Sequence, residues 1–276
     1  MSAYAELVAA SNFSFLRGAS KPEELAATAA ELGHEALAIC DRNTVAGVVR
    51  AHQPAKDLGL KYIPGCRLVL QDGLEPRAHR QVLPFPATKS GKARPDFGAR
   101  GSEAGSAFRP STGLEIACLP TDRAAWGRLC RLLTCGNRRA PKAECYLWLD
   151  DLIRHGEGQM LILLPPGGSP PHGFAEAAWE LASRFLGHVF IGAALAFNGQ
   201  DVRRLARLER LGRETGAPMV AVGDCLYHTP SRKPLQDVLT CIREKCTIAE
   251  AGYRLQRNAE PGSRSEERRV GKECRS

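Results

Sequence analysis

The sequence lacks the punctuation of several common site types. None of its ten cysteines forms a C-x-x-C pair, the closest spacings being Cys130 to Cys135 and Cys241 to Cys246. Structural zinc sites use such close pairs, and disulfide-stapled domains are usually small, so reduced thiols are the simpler reading. No apolar run approaches the roughly 20 residues that span a bilayer. The opening stretch MSAYAELVAA has no basic segment leading into an apolar one. A secreted or membrane-embedded protein is therefore not expected, and a cytoplasmic one is. Ser11 and Ser14 stand outside any G-x-S-x-G elbow, which removes support for serine nucleophile chemistry. The glycine-rich segment Pro165 to Gly173 has no G-K-[ST], and its prolines carry no N–H to offer a phosphate. It reads as a strand-to-helix loop. His34, His52, His79, His155, His172 and His188 share no spacing that would gather a metal.

What is present is a basic chain of 276 residues, long enough to bury a sizeable core as one large domain or two smaller ones. Part of the formal charge of +8 sits in the last thirteen residues, RSEERRVGKECRS, which carry five basic and three acidic side chains. That string resembles a frame translation of a sequencing adaptor, so 264–276 is expected to be a non-native tail. Without it the charge is +6, which permits nucleic-acid contact without requiring it. The segment Gln71 to Gly113 is rich in Gly, Pro, Ser, Arg and Lys, with seven basic and four acidic residues and few periodic apolar positions. It is expected to be a disordered surface insertion.

Elsewhere short β-rich runs alternate with amphipathic stretches. Strands are expected at Ala5 to Ala9, Ala36 to Cys40, Tyr62 to Leu70, Leu114 to Leu119, Gln159 to Leu164, Val189 to Ala194 and Met219 to Gly223. Ser20, Pro22 and Glu23 read as a capping box with proline in the first helical turn. In Asp201 to Gly216, Val202, Leu205, Leu208 and Leu211 share one helix face and the arginines the other. Strands joined through helices imply an α/β protein with a parallel sheet, either open and doubly wound or closed as a barrel.

Two segments are more specific. YAELVAASNFSFLRGASKPEELAATAAELGHEALAICDRNTVAGVVRAH (Tyr4 to His52) and KDLGLKYIPGCRLVL (Lys56 to Leu70) resemble the amino-terminal polymerase-and-histidinol-phosphatase (PHP) domain of bacterial C-family replicative polymerases. SNFSFLRGAS is most similar to the error-prone branch, and PTDRAAWGRLCRLLTCGNRRA and PLQDVLTCIREKCTIAEAG point the same way. The resemblance implies a distorted seven-stranded parallel (β/α) barrel of PHP type over 1–258, with 71–113 as the insertion and 259–263 as a linker. Chemistry is then expected at the carboxyl ends of the strands.

A PHP site hydrolyses phosphate esters with a cluster of metal ions that polarise the phosphoryl oxygen and generate hydroxide. At the matching ligand positions this chain has Val8, Ala10, Arg17, Arg42 and Arg67. Asp41, Glu115 and Asp224 are the oxygen ligands left, as vestigial positions. They could hold one Mg²⁺ or Mn²⁺ with water. Three arginines in the same pocket would oppose that, since two unit charges about 4 Å apart repel by several kcal/mol at an intermediate dielectric. The expected arrangement pairs Arg17, Arg42 or Arg67 with Asp41 and Asp224, as salt-bridge replacements of metal. Two other routes to metal are four thiolates from Cys40, Cys66, Cys118 and Cys225, and a register shift that recruits His228.

The resemblance implies the amino-terminal fragment of an error-prone DNA-directed DNA polymerase acting in damage-tolerant, translesion synthesis. Its nucleotidyl transfer would use Mg²⁺ on palm carboxylates absent from this chain, so no catalytic residue is assigned and no cofactor is expected here. DNA, a sliding clamp and an inactive polymerase-like accessory protein are the implied partners. The domain itself is expected to be structural or interactive. The alternative is a metal-dependent phosphoesterase or 3′ to 5′ exonuclease on Asp41, Glu115 and Asp224.

Overall fold

The protein is described by a computed structural model over residues 4–71, 113–166, 173–195 and 199–255. The expected insertion, apart from its two end residues, the linker 259–263 and the tail 264–276 lie outside the described residues.

Seven strands, β1 (Ala5–Ala9), β2 (Ala36–Arg42), β3 (Lys61–Val69), β4 (Glu115–Pro120), β5 (Gln159–Leu164), β6 (Val189–Ala193) and β7 (Met219–Ala221), lie side by side in sequence order. The expected run of parallel strands is broken at one place. Strand β4 is antiparallel to both β3 and β5, whereas β1 to β3 and β5 to β7 pair in parallel. The reason lies in the connection. Val69 pairs with Glu115 and the Leu70 amide donates to the Leu114 carbonyl at 2.9 Å, so β3 and β4 meet as the two arms of a hairpin. Parallel pairing would need a crossover between them. The consequence for the site is direct: the start of β4, and with it Glu115, lies beside the carboxyl ends of its neighbours.

The mixed sheet curls into a half-barrel. Its edges are joined by point contacts, not by a ladder: the Ala10 amide donates to the Cys225 carbonyl at 2.8 Å and the Ala19 amide to the Leu226 carbonyl at 2.7 Å. Glu6 adds a third tie. The β1–β2 register slips between Glu6 and Ala9, and the extra residue frees the Val8 amide. The Glu6 carboxylate takes that N–H at 2.8 Å and also the Gly223 N–H at 3.2 Å, stitching β1 to the chain after β7. Gly223 has no room for a side chain, because a Cβ there would strike the Glu6 carboxylate.

Alternation along the strands separates two layers. Val8, Ala38, Cys40, Ala117, Leu119, Ile162, Leu164 and Val222 line the concave face. Opposite faces pack on helices α1 (Pro22–Glu31) and α2 (Val48–Asp57) at one end, and at the other on α3 (Arg123–Arg139), α4 (Leu149–His155), α5 (Phe174–Arg184) and α6 (Asp201–Thr215). Leu129, Leu132, Leu161, Leu163 and Leu181 are fully enclosed there, each contributing about 1.5–3 kcal/mol by burial.

Two local expectations shift. The N-cap of α1 is Lys21, whose amide donates to Glu24 at 2.8 Å. Ser20 is drawn away instead, accepting from the His228 amide at 2.9 Å and meeting the His228 ring nitrogen Nδ1 at 2.7 Å. On α6, Leu208 is buried with Leu205 and Leu211 against the core, but Val202 is exposed. Helix α7 (Lys233–Glu244), followed by the short α8 (Ile248–Ala251), has an unusual polarity. It buries Gln236, Thr240 and Arg243 and turns Leu235, Val238 and Ile242 outward.

Candidate functional site

The mouth of the half-barrel is built from the β1–α1 loop, the ends of β2 and β3, the start of β4 and the segment after β7. On β2 the concave face takes Ala38, Cys40 and then Arg42; on β3 it takes Ile63, Gly65 and Arg67; on β4 it takes Leu119, Ala117 and Glu115. Thus Arg42, Arg67 and Glu115 end up together by strand parity alone.

Arg42 donates to Glu115 at 2.5 Å and Arg67 to the other Glu115 oxygen at 3.3 Å, so one carboxylate sits between two guanidinium groups. Arg67 also forms a short ion pair with Asp224, whose side chain is 39% exposed. Burial alone would lower the Arg67 pKa, but the Asp224 and Glu115 carboxylates hold it above the ordinary arginine value. Burial pushes the Glu115 carboxyl up, and Arg67, Arg42 and Arg17 together pull it below the usual range. Its charge is therefore fixed at neutral pH. The Arg67 Nε is buried and has no acceptor among the described residues.

Asp41 does not pair with an arginine. It follows the opposite parity from Arg42, and its buried carboxylate is capped by the β1–α1 loop. The Ser11 amide donates to it at 2.8 Å, the Ser11 hydroxyl at 2.7 Å and the Ser14 hydroxyl at 2.7 Å. Burial raises its pKa while these hydrogen bonds lower it, with a net upward shift. Glu6 behaves similarly: burial raises its pKa against the Val8 amide and the Tyr4 hydroxyl.

Arg17 is placed differently again. It is half-buried in the β1–α1 loop, where its amide donates to the Ser14 carbonyl at 2.9 Å, and its guanidinium makes no hydrogen bond or ion pair among the described residues. Burial, and next the charge of Arg42, bring its pKa down to about 10, with Arg243 and Arg67 adding to the repulsion and Glu115 opposing it. Arg243 is a member of this group that sequence reasoning missed. It reaches in from α7 and donates to the Leu16 carbonyl at 3.0 Å and to Glu244 at 3.1 Å.

Three of the loops are held in a left-handed conformation at non-glycine residues, Leu16 (φ 56°), Asn43 (φ 51°) and Asp224 (φ 52°). Leucine gains nothing locally from that region, and such residues cost on the order of 1–3 kcal/mol unless the surroundings impose them. Gly18 is required by the same fold of the β1–α1 loop, since a Cβ there would strike the Ser11 carbonyl.

The remaining sequence candidates are dispersed. Val8 belongs to the concave cluster, and Ala10 to a separate one with Ala19, Leu226 and Tyr227. Cys40 lies on the concave face, Cys66 and Cys118 face the opposite layer, and Cys225 packs with α1 and α2. Their thiols, Cys66 to the Asp41 carbonyl and Cys118 to Gln159, are directed into the core, so four thiolates do not converge. His228 is engaged by Ser20, with Glu24 3.8 Å away. Among the described residues no three His, Cys, Asp or Glu side chains are grouped to hold a metal. The donor set at the mouth does not fit a metal cluster: two of its three carboxylates are taken by guanidinium groups and the third is turned into a loop.

The PHP domain family profile matches residues 6–189. An error-prone DNA polymerase of Caulobacter vibrioides is 44% identical over 264 residues, which is 96% of this chain and 21% of that protein. Error-prone DNA polymerases of Ruegeria pomeroyi (44% over 260 residues, 93% of this chain and 23% of that one) and Rhodopseudomonas palustris (39% over 262 residues, 94% and 20%) are similar to it over the same extent. The chain spans about a fifth of the length of these curated relatives. Among solved structures, a candidate metal-dependent phosphoesterase of Bifidobacterium adolescentis matches with TM-score 0.53 at 11% identity, covering 83% of this chain and 90% of that one. An amidohydrolase of Chromobacterium violaceum matches with TM-score 0.50 at 14% identity, covering 82% and 88%. At these identities the likeness is one of fold. Among the described residues no helix is long and apolar enough to cross a membrane.

Proposed function

Because the chain belongs to the PHP domain family, we propose that it is the PHP portion of a cytoplasmic error-prone DNA polymerase, serving as a structural and interaction module and not as a hydrolase. The observation that carries this reading is the pairing of Arg42 and Arg67 with Glu115 and Asp224. Fixed cations neutralise the carboxylates that a metal would need, and a guanidinium cannot generate hydroxide from a bound water as a metal ion does. The outward apolar face of α7 supports an interaction role, the surface being one that the polymerase portion of the same protein would cover. On this reading translesion synthesis, its Mg²⁺ and its contacts with DNA, a sliding clamp and an accessory protein belong to polymerase regions outside the matched fifth.

The alternative, a phosphoesterase or exonuclease on Asp41, Glu115 and Asp224, requires those three carboxylates to face one ion, and Asp41 faces its serines. The test is hydrolysis of a model phosphodiester and of a 3′-ended oligonucleotide by the purified protein with added Mn²⁺ or Zn²⁺. The expected result is no turnover above that of an E115Q/D224N control. Metal-stimulated turnover that this double substitution abolishes would overturn the proposal.

A further inference from the structure

The two closest cysteine spacings in the sequence, Cys130 to Cys135 and Cys241 to Cys246, are equal in number but differ in structure. Cys130 and Cys135 both lie inside α3, where five residues rise about 7.5 Å along the axis. That exceeds the roughly 7 Å beyond which two Cα atoms cannot be bridged by a disulfide. Cys241 and Cys246 straddle the end of α7 instead. The Cys246 amide donates to the Cys241 carbonyl at 3.1 Å and the Lys245 amide to the Ile242 carbonyl at 3.4 Å, with Lys245 left-handed at φ 53°. These are the six-to-one and five-to-two bonds of a Schellman ending, in which the two flanking side chains commonly meet. Here those side chains are thiols, and they share a hydrogen bond. Cys241 is buried and Cys246 is partly exposed. Burial pushes the Cys241 thiol above its ordinary pKa, and the Cys246 thiol beside it adds to that.

We propose that Cys241 and Cys246 are a reversible modification site, a dithiol that closes to a disulfide across the end of α7 when a low-molecular-weight disulfide such as oxidised glutathione is in excess. Cys246 is the attacking thiol, because it is the one that solvent reaches. Its thiolate forms a bond to one sulfur of the oxidant and breaks the oxidant's S–S bond, releasing one thiol and leaving a mixed disulfide. Cys241 then gives up its proton, attacks the Cys246 sulfur and releases the second thiol. Two electrons and two protons pass from the pair to the oxidant. The helix ending has already aligned the two sulfurs, so closing the bond needs no rearrangement of the backbone. The bond bears on the mouth through Arg243, which lies between the two cysteines and donates to the Leu16 carbonyl at 3.0 Å. Oxidation thus fixes the turn that anchors the β1–α1 loop.

The test is equilibration of the full 276-residue chain with mixtures of reduced and oxidised glutathione, followed by acid quenching and peptide mapping by mass spectrometry. The expected product is a 241–246 linkage that has lost two hydrogens, outweighs any 130–135 linkage by at least about 10-fold and reverts with dithiothreitol. C241S should stop at the mixed disulfide, with glutathione on Cys246, whereas C246S should leave the buried Cys241 unmodified. Oxidation should also slow hydrogen exchange of the Lys245 and Cys246 amides, roughly 10-fold in the parent, and leave it unchanged in C246S. Four results would each overturn the proposal: no 241–246 linkage in the most oxidising mixture, equal yields at the two spacings, a 241–246 linkage that forms only in urea, or exchange at the two amides unaffected by oxidation. Glutathione found on Cys241 in C246S, with Cys246 of C241S left free, would overturn the order of attack.

Discussion

Replacing Arg67 with methionine removes the cation that joins two carboxylates while keeping much of the buried stem volume. Its guanidinium is enclosed, with side-chain exposure of 9% against 22% for Glu115 and 39% for Asp224. Breaking one partner of a fully buried pair costs about 3–5 kcal/mol, and an exposed pair is worth about 1 kcal/mol at most. Here Glu115 keeps Arg42, and Asp224 gains water, so R67M should destabilise by about 2–3 kcal/mol. For a domain of this size that lowers Tm by roughly 5–10 °C. The assay is urea unfolding at pH 7 followed by circular dichroism, with E115Q and the double variant completing a cycle. E115Q should cost at least as much as R67M, because it leaves Arg17, Arg42 and Arg67 without the carboxylate between them. The double variant should be less destabilised than the sum by about 1–2 kcal/mol. An R67M variant within about 0.5 kcal/mol of the parent, or strict additivity with E115Q, would refute the pairing as the brace of the mouth.

Other perturbations isolate the two buried carboxylates. Glu6 has a folded-state pKa raised above its ordinary 4.5, so the folded state favours the protonated form. Stability contributed by this group is lost as pH rises from about 4.5 through the raised value and is then flat. E6Q should flatten that part of the profile in denaturant titrations from pH 4 to 9, and a parallel offset with no change of shape would count against it. E6A strands the Val8 and Gly223 amides and should cost about 2–4 kcal/mol. D41A strands Ser11 and Ser14 and should cost a similar amount. Because Asp41 is not the partner of Arg42, D41A and R42A should add within about 0.5 kcal/mol. A larger coupling in unfolding free energy would return Asp41 to the arginines.

Much of the fold was legible because the strands are short, apolar and bounded by turn residues, and their expected ends fall within about two residues of those observed. The sense of β4 was not legible. Direction depends on what lies between two strands, and the segment between Leu70 and Leu114 carries no periodicity that announces a hairpin. The slip in β1 was also hidden, since a bulge changes which residues share a face without changing composition. Part of the site could have been read more closely. Asp41 and Arg42 are neighbours in a strand, and neighbours point to opposite faces, so alternation already argues against both reaching the mouth. It also places Arg42 with Cys40 and Arg67 with Gly65. Arg243 left no such trace. Its burial depends on α7 presenting Leu235, Val238 and Ile242 outward, the reverse of what amphipathic periodicity leads one to expect.

On the proposed reading, the arginines at the mouth bear on one physical question, what can brace strand ends in place of a metal cluster. A metal ion holds strand ends together by drawing several oxygens to one point, and it also offers open positions where water becomes hydroxide. A guanidinium reproduces the first property and not the second. Arg67 reaches Glu115 on β4 and Asp224 after β7 in a single side chain, spanning a region where the sheet has no ladder of its own. Being covalently attached, it cannot be lost to chelation, and the brace does not depend on metal supply. What it leaves behind is an array of N–H donors carried by two strands and a loop. Such an array has no means of activating water. On the proposed reading, the arginines keep the brace at the strand ends and leave nothing there that could activate water against a phosphate ester.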